Sequence, residues 1–113
     1  MDKHLVFKQA ILSVFEVYAE YLHAGHTSTV EYHTVADEKN DRYQLAAVGW
    51  EQNTRIFYVI FQADIIDGKV WIQVDNTEDG LAALLEEKGV SKQDIVLAYF
   101  PAYHRKYTEY AVA

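Results

Sequence analysis

The sequence predicts an α+β domain: a long N-terminal helix packed on a largely antiparallel β-meander, then a second helix and a short final strand. Three observations predict it. Apolar residues recur every three or four positions from Lys3 to His23, with no Gly or Pro among them. Four stretches of strand-like alternation follow, joined by loops too short for anything but hairpins. Then Asp67 to Val90 reads as turn, strand, cap and helix in a single run. At 113 residues the chain is one domain, 1–113, long enough for a hydrophobic core without disulfides or metal.

The first helix carries its stripe on Leu5, Ile11, Leu12, Phe15, Tyr18, Ala19 and Leu22, and ends at or before Gly25. Thr27 to Val35 is β-branched and alternating, which predicts a strand, and the turn formers from Asp37 to Asp41 close it. Tyr43 to Trp50 is the second strand, and Glu51 to Thr54 a short hairpin loop. Arg55 to Ile66 is the third strand. Simple alternation puts Phe57, Val59, Phe61, Ala63 and Ile65 on one side and Ile56, Tyr58, Ile60, Gln62 and Asp64 on the other. Both sides begin apolar, which predicts a central strand covered on each face.

Asp67-Gly68 is a tight-turn pair, because Gly takes positive φ without steric cost. The fourth strand, Lys69 to Asp75, follows it. Asn76-Thr77 ends that strand, Glu78 and Asp79 suit a helix first turn, and the helix runs from Glu78 to Lys88 with Gly89 as its stop. Ile95 to Phe100 is an apolar run ended by the only proline, Pro101, and reads as a final strand connected through the helix before it. The aromatic tail from Ala102 is too hydrophobic for a disordered end and is expected to dock on the domain or on another subunit.

Composition excludes several function classes. There is no Cys, so neither a disulfide framework nor a thiolate site exists. No apolar run approaches a membrane span, and the N-terminus lacks signal-peptide order, so the expected location is cytoplasmic. A formal charge of −7 argues against a phosphate-binding surface and favours contact with other proteins.

Few residues carry a chemical signal. His23, His26 and His33 read as exposed imidazoles, since Gly25 breaks the face that a metal site would need. Asp75, Glu78 and Asp79 could hold a divalent cation or do acid–base work, yet a strand end accounts for Asp75 and the helix N-terminal amides and dipole for Glu78 and Asp79. His104, Arg105 and Lys106, flanked by Tyr103 and Tyr107, form the only local basic cluster; base stacking, protein contact and an ion pair with the acidic junction are its possible uses. Trp50 and Trp71 lie on strands, as sheet packing or as anchors for a partner. The candidate interaction residues are therefore Trp50, Trp71, Asp75, Glu78, Asp79, Arg105, Lys106 and Tyr107.

The co-linear run from Gly68 to the end resembles the XisI family, cyanobacterial controlling factors for excision of the fdxN element. The residues carrying the likeness are Trp71 to Gln73, Asp75, Thr77 to Gly80, Gly89-Val90, Asp94 to Leu97, Pro101, Arg105 to Thr108 and the terminal Ala-Val-Ala. Upstream, Tyr43 to Leu45 and Val48 to Trp50 also fit. One local departure is Ala102-Tyr103-His104, where the family pattern carries a second Pro and an acidic residue before the Arg. The resemblance implies a non-enzymatic accessory role in site-specific DNA excision during heterocyst differentiation. It implies an XisH-like, nuclease-like partner, a site-specific recombinase alongside, and no cofactor or catalytic residue. Long strands and a docking tail add the expectation of a homo-oligomer, a dimer being the simplest. Direct DNA binding and a metal-dependent enzyme are the alternatives.

Overall fold

A computed structural model describes residues 2–25 and 29–113. His26 and the first two residues of the predicted first strand, Thr27 and Ser28, lie outside them. The elements are α1 (Lys3–Ala24), β1 (Glu31–Asp37), β2 (Arg42–Glu51), β3 (Thr54–Ile66), β4 (Lys69–Asp75), α2 (Leu81–Glu87), a 3-10 turn (Lys92–Asp94), β5 (Ile95–Leu97) and α3 (Ala102–Arg105). The strands form one sheet in the order β1-β2-β3-β4-β5. The first three pairings are antiparallel, as the short loops require, and β4 pairs β5 in parallel across the α2 connection.

Both tight hairpins follow from local chemistry. Gln52 has φ 57°, and the pairing resumes at once between Glu51 and Thr54. Asp67 and Gly68 both take positive φ, 49° and 76°, which gives the turn the twist a two-residue hairpin needs. Gly49 answers a different demand: a Cβ there would sit 2.4 Å from the Thr29 carbonyl oxygen, where the chain crosses close above β2.

α1 lies on one face of the sheet. Asp2 caps it by accepting from the His4 amide at 3.0 Å. Its buried residues are Phe7, Ala10, Ile11, Val14 and Phe15, and Leu12, Tyr18, Ala19 and Leu22 pack against the same core, so of the predicted stripe only Leu5 falls outside, at 46% exposure. Phe15 stacks on Phe61 at 5.7 Å between ring centres, and Tyr18 meets the same ring edge-on at 5.1 Å. Leu81, Ala82 and Leu85 of α2 complete the core with Tyr43, Leu45, Ile72, Ile95 and Leu97.

Four expectations need correction. α2 starts at Leu81 rather than Glu78, because Thr77 to Gly80 forms a turn closed by the Gly80 amide on Thr77 Oγ1 at 3.2 Å. β5 stops at Leu97, since Phe100 turns back to donate to the Leu97 carbonyl. β3 is covered by helices on one face only. Finally, the sides of β3 do not follow simple alternation. Leu45 pairs Phe61 and Ala46 pairs Val59, so Ile60 is an extra residue in the ladder. That bulge switches the parity of the strand. Ile56, Tyr58 and Ile60 join Phe61, Ala63 and Ile65 on the helix side, while Phe57 and Val59 share the opposite face with Gln62 and Asp64.

Candidate functional site

The sheet face turned away from α1 has two unlike halves. Over β4 and β5 it is roofed by the chain's own C-terminal segment. The Arg105 guanidinium lies 5.3 Å from the centre of the Trp71 ring, its Nε donates to the Phe100 carbonyl at 3.0 Å, and an Nη donates to Ala98 at 3.4 Å. Thr108 Oγ1 donates to the Arg105 carbonyl at 2.8 Å, and the Ala111 amide reaches the Ile95 carbonyl at 2.8 Å. Tyr110 donates its hydroxyl to Glu86 at 2.7 Å, so the last residues are anchored to α2 as well. The tail therefore docks on its own domain. Arg105 makes no ion pair with the acidic junction, since main-chain carbonyls and an indole face take the guanidinium instead. The Trp71 Nε1–H is buried without a hydrogen-bond partner among the described residues, so packing and the Arg105 guanidinium hold that ring.

Over β1, β2 and β3 the same face is open. Phe57 is 73% exposed and Val35 51%; Trp50 is 50% exposed. The register places Val48 opposite Phe57, Ala46 opposite Val59 and Trp50 opposite Arg55, so these side chains form one contiguous apolar surface. Arg55 holds its guanidinium 5.3 Å from the Trp50 ring centre. At its border Asp64 is nearly buried, accepting from Gln62 Nε2 at 2.6 Å with Arg42 Nε 3.7 Å away. Val35, Val48, Phe57 and Val59 are absent from the sequence-based candidates. Alternation assigns Phe57 to the side of Phe61, and only the bulge at Ile60 moves it out.

The acidic junction is a structural joint. Asp75 ends β4 and accepts from the Thr77 amide at 3.1 Å, Thr77 Oγ1 at 2.8 Å and the Leu81 amide at 2.7 Å. It is the residue that caps α2. Neither Glu78 nor Asp79 lies in the helix first turn, which corrects the capping role expected of them. Asp79 instead accepts from the Tyr18 hydroxyl at 3.0 Å, tying the junction to α1. Burial, reinforced by that carboxylate, pushes the Tyr18 hydroxyl up to about 12. Glu78 and Asp79 line a recess of about 380 Å³ with Tyr18, Tyr21, Tyr58 and Asn76.

The remaining candidates are scattered. Lys106 sits 5.2 Å from the ring centre of the exposed Tyr107, beyond α3. His23 and His33 border a recess between α1 and β1, and His33 faces Glu31 at 3.1 Å. Among the described residues no group of three His, Cys, Asp or Glu side chains is placed to hold a metal, and no helix is long and apolar enough to cross a membrane. The eight sequence-based candidates thus divide into Trp50 on the open face, Trp71 and Arg105 in the roofed half with Lys106 and Tyr107 beyond α3, and Asp75, Glu78 and Asp79 at the joint.

The family described as XisI protein matches residues 1–112. A crystal structure of a XisI-like protein from Anabaena variabilis ATCC 29413 is 34% identical, with a TM-score of 0.77 over 98% of this chain and 95% of that one. A second, the fdxN element excision controlling factor XisI from the same organism, is 26% identical, again with a TM-score of 0.77, over 99% of this chain and 100% of the other. No curated protein matches the chain. With the family matched across all but the last residue, and the fold shared from end to end, the chain belongs to the XisI family.

Proposed function

We propose that this chain is a non-enzymatic controlling factor in site-specific excision of a DNA element, acting through protein contact. The observation that carries this is the end-to-end likeness to an fdxN element excision controlling factor, with neither chain leaving a domain unmatched. The geometry supports a binding role over a catalytic one. Both carboxylate oxygens of Asp75 accept from the α2 cap, and one oxygen of Asp79 accepts from Tyr18, which leaves the acidic junction poorly disposed to a divalent cation. The partner in this proposal is a nuclease-like protein of the XisH type, with a site-specific recombinase acting alongside.

Direct DNA binding through the tail is the alternative, favoured by the exposure of Lys106 and Tyr107. Against it stand the net charge of −7 and the engagement of Arg105 with carbonyls and Trp71. Co-expression with the XisH-type protein, followed by size-exclusion chromatography with light scattering, separates the two. A stable mixed complex is the expected result. Separate peaks, together with salt-sensitive binding of this chain alone to DNA, would overturn the proposal.

A further inference from the structure

We propose that the open face over β1, β2 and β3 is a self-association surface, covered in solution by the same face of a second copy. Three observations converge on it. The surface is apolar, contiguous and exposed, with Trp50 and Phe57 projecting in adjacent rows and the small Ala46 in the next row beyond Phe57. Large and small side chains on one patch suit an isologous contact, because each copy must supply both halves of the fit. The chain's own C-terminal segment roofs the neighbouring half of the same face and stops there, so the need for cover is met within the chain on one side only.

Charge selects the occupant. On this face Arg42 and Arg55 stand against Glu31, Asp37 and Asp64, a net of one negative charge, whereas the whole chain carries −7. Most of the mutual repulsion of two copies therefore arises away from this face. A strongly basic partner would be drawn to the acidic remainder rather than to this largely apolar patch. The size also fits. Three strands about 4.8 Å apart, of 7, 10 and 13 residues, at about 3.3 Å per residue, give a flat footprint of roughly 470 Å². Side-chain relief raises the accessible area toward the ~800 Å² per partner typical of stable complexes. Two such faces stack about 10 Å apart, as sheets in a sandwich do.

Self-association does not depend on the excision role, and its test uses the purified chain alone. Light scattering should give twice the 13.0 kDa of one chain. Phe57→Glu places a charge at the centre of the contact and should weaken self-association by about a hundredfold or more. Val35→Lys, at the other side of the patch, should weaken it too. Circular dichroism should show both variants folded, since both side chains are already exposed. Tyr103→Glu, equally exposed but on α3, should keep the double mass. A single-chain mass for the parent protein at its highest soluble concentration would overturn the proposal. So would a double mass that survives both Phe57→Glu and Val35→Lys, since the contact would then lie elsewhere.

Discussion

Phe57 and Phe61 lie four residues apart on one strand and face opposite ways. Phe61 is fully buried between Phe15 and Tyr18, whereas Phe57 stands in solvent on the other side of the sheet. The extra residue at Ile60 makes this difference, because without it the two rings would share a face. A single bulge therefore decides which aromatic builds the fold and which is left exposed. It gives the molecule one face organised by α1 and α2 and another organised by the C-terminal segment at one end and by nothing of its own at the other.

The comparison breaks most readily at Phe61. Phe61→Ala should destabilise the chain by about 3–5 kcal/mol, the range for truncating a buried aromatic, measured by urea unfolding. Phe57→Ala, measured at a concentration low enough for single chains, should stay within about 0.5 kcal/mol of the parent. Similar losses for the two would mean that the faces are not as unlike as described.

The contrast between the roofed and open halves turns on Arg105. Arg105→Ala removes two hydrogen bonds to carbonyls and the contact with Trp71. It should cost about 1–3 kcal/mol and speed proteolysis of the last ten or so residues. If cleavage of the tail is unchanged, the other anchors at Tyr110 and Ala111 suffice and Arg105 is a passenger.

Much of the frame was legible in the residues. The Asp67-Gly68 turn, the Gly89 stop and the strand–helix–strand order all rest on local rules, in which one residue fixes one backbone conformation. The family was legible too, because a long co-linear pattern constrains far more than a short motif. The missing parts share a cause. The bulge at Ile60 depends on how β2 and β3 pair, and nothing local marks Ile60 as the extra residue. Asp75 was visible as an acid at a strand end, but its grip on the Leu81 amide, six residues on, depends on the intervening turn. Arg105 stood out as part of a basic cluster, yet the carbonyls of Ala98 and Phe100 become available only once β5 ends early. Side-chain roles set by long-range pairing were beyond a reading of local pattern.

The most direct test of the contrast between the two halves uses the two tryptophans. In a Trp71→Phe variant only Trp50 fluoresces, and in Trp50→Phe only Trp71 does. Acrylamide quenching of each should be followed as protein concentration rises. Trp50 should be readily quenched in dilute solution and become protected as self-association proceeds, while Trp71 stays protected throughout. A Trp50 signal equally quenchable at every concentration would contradict the claim that a second copy covers the open face.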